Sequence, residues 1–450
     1  MPLLTTLLPF DRRWRLAPIL VALFLAGGAI LESWTPRGLP AADAQNNSTD
    51  WPQWRGPNRD GISPLQGLKT DWTGGLNVAW QVNNLGDGYA SLAIQGDRIY
   101  TMGEQQNTEF LMALNREGGA KLWETSVGGH SDNGGYPGPR CTPTADGERV
   151  YALGSRGDLV CVNAVDGSEI WRKSLSRDFK GKMMSGWGYT ECPLVDGDAL
   201  ICTPGGKEHT VVALNKLTGE TLWSCAVPDE GDAGKAGAGY SSCVIANCGG
   251  VKQYVQLLGR GLVGIDAATG KLLWTYNRVA GKVANIPTPV VRGDYVFGST
   301  GYGDGGAALV KIVKNGEQLA AEEVYYLSAE EFRNHHGGMI LIGDYIYGGD
   351  GQNKGFPTCL EFLTGKRAWG EKKIRGPGEG SAAIIAADGY IIWRYQNGLL
   401  ALIPANPQKY EVTATFQLPT SDKPSWPHPA IAGDKLYIRD QGALYCYELK

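Results

Sequence analysis

The chain has no Cys-x-x-Cys pair, no His-Glu-x-x-His and no Cys/His cluster at zinc spacing. That excludes the common structural and hydrolytic zinc sites. Charge is also scarce. Charged residues make up 20% of the chain, with 42 basic against 46 acidic and a formal net charge of −4. The two signs are mixed and no basic stripe forms, which argues against nucleic-acid binding. At 42% hydrophobic and 10% aromatic residues, the composition is that of a folded protein rather than a disordered one.

Long apolar runs are absent except at the start. Arg12, Arg13 and Arg15 precede an uncharged stretch from Leu16 to Leu31, and Ala42-Asp43-Ala44 offers a small-residue cleavage site. Residues 1–44 therefore read as a secretory signal peptide. The alternative is an uncleaved membrane anchor, for which the run is short and holds Pro18, Gly27 and Gly28. Arg12-Arg13 hints at twin-arginine export. No Cys follows the apolar run, so no bacterial lipoprotein site is present. The expected location is the periplasm or cell envelope.

An exported chain with nine cysteines has an odd number of them. Cys192 and Cys202 flank Asp196-Gly197-Asp198 symmetrically, and a three-residue loop there would set them across from one another. Cys243 and Cys248 form a second close pair. The other reading is that these are small buried side chains, at repeat positions filled elsewhere by Ala, Ser or Thr.

What is abundant is glycine, 64 of 450 residues, and it is periodic. An apolar strand, a small-residue turn and a Trp return about every 50 residues, the mark of a repeat architecture. Examples are Ala213-Leu214-Asn215-Lys216-Leu217-Thr218-Gly219-Glu220-Thr221-Leu222-Trp223 and Gly264-Ile265-Asp266-Ala267-Ala268-Thr269-Gly270-Lys271-Leu272-Leu273-Trp274. Each unit reads as four short strands, with hairpins at Gly-Asp or Asp-Gly pairs such as Gly96-Asp97 and Gly433-Asp434. The fourth-strand aromatics are Trp80, Trp123, Trp171, Trp223, Trp274, Tyr325, Trp369 and Phe416. Trp80 has no unit before it, and the last unit lacks a fourth strand. The predicted fold is thus all-β: an eight-bladed propeller over 76–450, closed by the strand near 76–82 completing the C-terminal blade. A seven-bladed ring or an open array is the alternative. Residues 45–75 read as an N-terminal extension.

In a propeller, residues just before each innermost strand gather at one mouth of the channel. Aligning the units on their turns places Tyr89, Arg140, Trp187, Tyr189, Thr190, Glu191, Tyr240, Ser242, Asn285, Asn334, His335, His336, Glu379 and His428 there. Three of the five histidines fall in this set. The plain alternative is a solvated rim with no ligand. Gly301-Tyr302-Gly303-Asp304-Gly305-Gly306 has the glycine content of a phosphate loop but no following Lys-Ser/Thr, and reads as a blade loop.

The Ala-Leu-Asn-x-x-Thr-Gly-x-x-x-Trp turn resembles the tryptophan-docking repeat of the PQQ-like β-propeller family. That family includes the pyrroloquinoline quinone (PQQ) dehydrogenases and the non-enzymatic envelope protein BamB. The segment Trp51-Pro52-Gln53-Trp54-Arg55-Gly56-Pro57-Asn58-Arg59-Asp60-Gly61 resembles the opening of exported members from planctomycete-type bacteria. The dehydrogenase resemblance implies Ca²⁺ held by a Glu and an Asn, for which Glu191 and Asn285 are the matches, both being hard oxygen donors. It implies that Arg140 pairs with a quinone carboxylate, with Tyr189 and Glu379 beside the cofactor. Where that family places an Asp base, this chain has His335 and His336, either of which could serve as base. The family's adjacent Cys-Cys pair and haem-attachment Cys-x-x-Cys-His are missing. The resemblance thus implies either a binding module for an envelope protein, polymer or small molecule, or a PQQ- and Ca²⁺-dependent alcohol or sugar oxidoreductase with an atypical site.

Overall fold

The computed structural model describes residues 49–419 and 423–450. The expected signal segment and its cleavage site lie outside the described residues. Among the described residues no helix is long and apolar enough to cross a membrane.

The repeat builds eight antiparallel sheets around a channel. Blade 1 runs from Ala93 to Gly129, blade 2 from Thr144 to Ser174, blade 3 from Leu194 to Cys225 and blade 4 from Val244 to Tyr276. Blade 5 spans Val290–Ser328, blade 6 starts at Met339, blade 7 spans Ala382–Gln417 and blade 8 Ala430–Glu448. Val78–Val82 supplies the fourth strand of blade 8, pairing Trp80 with Cys446 and Val82 with Leu444. The ring therefore closes as the sequence predicts, with no exposed edge between the ends of the repeat. Blade 6 is thinner: its fourth strand is reduced to a single bridge between Leu360 and Arg367.

The inner hairpins have two-residue loops, with Gly first in every blade but blade 7, whose loop is Asp388-Gly389. Gly197 (φ 60°) is one. A left-handed residue at that place matches the twist of the flanking strands, and Gly reaches it without a Cβ clash. The loop is Gly197-Asp198, since Asp196 pairs with Ala199 and Leu194 with Ile201. That register is one residue off the one needed for a Cys192–Cys202 bridge. All nine cysteines are buried free thiols, as the reading of them as small buried side chains has it, and neither Cys192–Cys202 nor Cys243–Cys248 is bridged.

The fourth-strand aromatics dock on the next blade's turn. A Cβ on Gly167 would lie 2.5 Å from Trp123, one on Gly270 2.6 Å from Trp223, and one on Gly119 2.8 Å from Trp80. Glycine is needed because the indole lies flat on the turn, in the space a side chain would fill. The indole N–H groups of Trp123 and Trp171 donate to the Ala164 and Lys216 carbonyls at 3.2 and 3.1 Å. Trp274 departs from the rule. It turns into its own blade and donates to Gln253 Oε1 at 2.5 Å. The facing turn of blade 5 is an extended hairpin whose Gly316 meets nothing within 4 Å.

The N-terminal extension is not an appendage. Trp51 pairs with Ile94 of blade 1 in both directions, at 2.9 and 2.8 Å, and the Pro52 carbonyl accepts from Ala145 of blade 2 at 2.8 Å. Arg59 donates to the Cys192 carbonyl of blade 3 and the Cys243 carbonyl of blade 4, both at 2.6 Å. Trp54 Nε1 donates to Thr288 Oγ1, just before blade 5, at 2.9 Å, and Arg55 reaches the Met339 carbonyl of blade 6 at 2.5 Å. Ile62–Ser63 then adds a parallel strand to the inner edge of blade 7. Residues 51–63 thus fasten at least seven blades from inside the channel. Leu65, Leu68, Trp72 and Leu76 continue into the core of blades 7 and 8.

Candidate functional site

The floor laid by Trp54 leaves a cavity of about 350 Å³ at the mouth. Its wall is a nearly continuous run of rings. Tyr136 and Tyr89 each pack on Trp426, with centroids 4.9 Å apart. Trp426 meets His336 at 4.7 Å, His336 meets His335 at 3.8 Å, and His335 meets Tyr302 edge-on at 4.8 Å. Tyr302 stacks on Trp187, 6.0 Å apart and 20° from parallel, and Trp187 meets Tyr240 at 5.9 Å. Arg140 closes the gap. It donates to the Trp187 carbonyl at 3.0 Å and to the Tyr136 carbonyl at 2.9 Å, and its guanidinium lies 5.5 Å from the Tyr89 ring centroid.

Electrostatically the cavity holds one permanent cation and no carboxylate among its described lining residues. The histidines add no charge at neutral pH. Burial pulls His428 down to about 3, with Arg55 nearby acting the same way, and pulls His335 down to about 4. His336 is held well below the usual range by burial and by His335, His428 and Arg140. His428 Nε2–H donates to the His336 carbonyl at 2.8 Å. His335 Nδ1 shares a hydrogen bond with Ser381 Oγ at 2.8 Å, and Ser381 Oγ lies 3.3 Å from Asn353 Oδ1. His335 Nε2 is buried with no hydrogen bond of its own, a group that a polar atom of a ligand would satisfy.

The aligned mouth residues separate by parity. Thr190 and Cys192 line the cavity, whereas Tyr189 and Glu191 turn into the blades. Ala284 and Ile286 line it, whereas Asn285 does not. Extended backbone sends alternate side chains to opposite sides. Arg140, His335 and His336 are where the sequence places them. Tyr189 donates its hydroxyl to the Pro204 carbonyl at 2.9 Å. Glu379 is exposed and outside the cavity lining. Asn334 spends its amide on the Gly338 and Gly349 carbonyls at 3.1 and 2.8 Å.

The calcium reading does not fit this arrangement. Asn285 Oδ1 accepts from Gly281 N at 2.9 Å, while its amide donates to the Leu258 and Gly259 carbonyls at 2.8 and 3.1 Å. The Glu191 carboxylate accepts from Thr203 N and, at 3.4 Å, from Gln256 Nε2. Burial raises its pKa to about 7, against the Thr203 hydrogen bonds and the Arg59 charge. Both side chains brace loops. Among the described residues no group of three or more His, Cys, Asp or Glu could hold a metal ion.

Sequence reasoning missed Trp54, Tyr136, Tyr302 and Trp426. Trp426 stands two residues before His428 and was open to the same alignment. Tyr302 was hidden in the glycine-rich loop of blade 5.

Comparison with known proteins agrees with this fold. A protein from Shewanella oneidensis named outer membrane protein assembly factor BamB is 24% identical over an alignment of 263 positions that covers 56% of this chain. The chain spans about 60% of the length of that relative. The structure of BamB from Moraxella catarrhalis superposes with a TM-score of 0.57 at 14% identity, over 83% of this chain and 98% of that one. A quinohemoprotein alcohol dehydrogenase from Comamonas testosteroni superposes with a TM-score of 0.61 at 12% identity, over 89% and 80%. Residues 107–371, more than half of the chain, match the family described as "Outer membrane protein assembly factor BamB", and this chain belongs to that family of PQQ-like β-propellers.

Proposed function

We propose that the protein is a protein-binding module of the cell envelope, and that its mouth cavity receives a projecting segment of a partner. The observation that carries this reading is the ring of Tyr136, Trp426, Tyr302 and Trp187 around a cavity to whose described lining Arg140 adds a cation. Buried aromatic pockets with a desolvated arginine are where interface energy concentrates. The Arg140 cation in the lining suits a segment carrying an acidic group, and the rings suit an aromatic or aliphatic neighbour beside it. The outer membrane assembly named for the Shewanella relative is consistent with a protein partner.

The test is selection of a displayed peptide library on the protein, with counter-selection on a Trp426→Ala variant. Peptides with an acidic residue next to an aromatic one are the expected yield. Enrichment unrelated to the mouth, together with saturable Ca²⁺-dependent binding of PQQ, would favour the oxidoreductase reading instead.

A further inference from the structure

A second cavity, of about 880 Å³, opens beside blade 3 and shares no lining residue with the mouth. Three connections build it: residues 179–182 ahead of blade 3, residues 205–210 between its second and third strands, and residues 226–237 ahead of blade 4. Glycine lets these backbones meet. A Cβ on Gly205 would lie 2.2 Å from the Lys182 carbonyl oxygen and from Ala238 N, and one on Gly206 2.5 Å from the Phe179 carbonyl oxygen. Lys182 N donates to the Pro204 carbonyl at 2.9 Å, and Ala238 N to the Lys182 carbonyl at 2.8 Å. Thr210 Oγ1 donates to the Gly206 carbonyl at 2.9 Å and accepts from Val227 N at 3.0 Å. Contacts along the backbone thus fix the walls, and no side-chain lysine is needed to hold them.

The lining carries Lys180, Lys182, Lys207 and Arg260 against Glu208 and Asp229. Arg260 is already committed. Its Nε donates to Asp229 Oδ1 at 2.5 Å, and its Nη1 to the Gly231 and Ala233 carbonyls at 3.0 and 3.1 Å. That leaves three lysines and the Glu208 carboxylate. Among the described residues none of the three lysines makes an ion pair. Lys216 of blade 3 and Lys252 of blade 4, by contrast, pair with Asp146 and Asp196, both at 2.7 Å. Lys180 also stands at φ 49°, in the left-handed region that favours glycine. A lysine held there costs backbone energy that a glycine would not, which points to a use for its side chain outside the packing of the fold.

We propose that this cavity is a site for a phosphate-bearing anion, held by Lys180 and Lys182 from one connection and Lys207 from another. An ammonium is a compact point charge on a flexible stem and suits a small, multiply charged phosphate. A carboxylate is better met by the planar fork of an arginine, and the arginine in this lining is spent on Asp229 and on backbone. Val227 and Pro228 line the same cavity and give the organic part of the ligand an apolar seat. Glu208 opposes the anion and limits its affinity. The phosphate belongs either to a soluble ester or to a lipid headgroup, and the test separates the two. None of the mouth residues takes part, so the site stands or falls independently of partner binding there.

The full chain is titrated calorimetrically, in phosphate-free buffer at low salt, with pyrophosphate, with the soluble short-chain lipid dihexanoyl phosphatidylglycerol and with an oligoglutamate peptide. The control combines Lys180→Gln, Lys182→Gln and Lys207→Gln, three exposed positions whose replacement leaves the core untouched. The expected result is saturable binding of a phosphate compound that is lost in the triple variant, tightened by Glu208→Gln and unchanged by Trp426→Ala. Tighter binding of the lipid assigns the phosphate to a headgroup, and tighter binding of pyrophosphate assigns it to a soluble ester. Absence of heat with both phosphate compounds, or binding that the triple variant retains, would overturn the proposal. So would oligoglutamate binding as tight as that of either phosphate compound, because the cavity would then be a site for acidic protein.

Discussion

The Arg140 guanidinium donates to the Trp187 carbonyl at 3.0 Å and so ties the loop before blade 2 to the loop before blade 3. The same group donates to the Tyr136 carbonyl. One side chain both closes the aromatic rim and supplies its charge. Lysine keeps the charge but not the planar fork that spans two carbonyls. Arg140→Lys should therefore weaken binding of a mouth-selected peptide by roughly tenfold, the loss of about 1.4 kcal/mol. Arg140→Met should weaken it further. Calorimetric titration of the two variants checks the order.

Blade docking gives a stability prediction. Gly167 sits at φ 74° with Trp123 where its side chain would be. Gly316 sits at φ 64° with nothing within 4 Å. Alanine is strained at both sites, but only at Gly167 does it also displace an indole. Gly167→Ala should cost at least ~1 kcal/mol more than Gly316→Ala in urea denaturation. Equal costs would contradict the docking account.

The mouth histidines predict acid sensitivity. His428 titrates at about 3 in the folded protein and near 6.5 unfolded. Between those values the unfolded chain binds a proton that the folded chain does not. Stability is therefore fully present above about pH 6.5 and is lost as pH falls toward 3. His428→Gln should flatten that acid limb. Urea midpoints of both proteins at pH 7 and pH 5 give the comparison, and an unchanged slope would count against a buried neutral His428.

Glu191 acts in the opposite sense. Its folded pKa of about 7 lies above an unfolded value near 4.3. The folded state holds the extra proton, so stability falls as pH rises from about 4.3 through 7. Glu191→Gln should gain stability relative to wild type over that interval, with the mouth intact. If Glu191 instead holds a metal, the variant should lose Ca²⁺-dependent PQQ binding, which titration at pH 7 would reveal.

The blade count, the ring closure and the docking aromatics were legible because each rests on local, repeated chemistry: a Gly at a turn and an aromatic at a fixed offset. The path of residues 51–63 was not. Its contacts are singular and long-range, as with Trp54 reaching Thr288, and no period announces them. The mouth was legible to within one residue. Thr190 was placed at the mouth and lines it, whereas Tyr189, Glu191 and Asn285 were placed at the correct height on the blades but their neighbours Cys192, Ala284 and Ile286 face the cavity. A one-residue uncertainty in a strand exchanges its two faces.

The most direct test of the mouth as a binding site is photo-crosslinking in cells. A photoreactive residue is placed either at Tyr136 on the rim or at Leu222, which is exposed on the outer strand of blade 3. The account predicts a discrete crosslinked protein from position 136, lost when Arg140→Met is added, and none from position 222. No adduct at 136, or the same adducts from both positions, would contradict it.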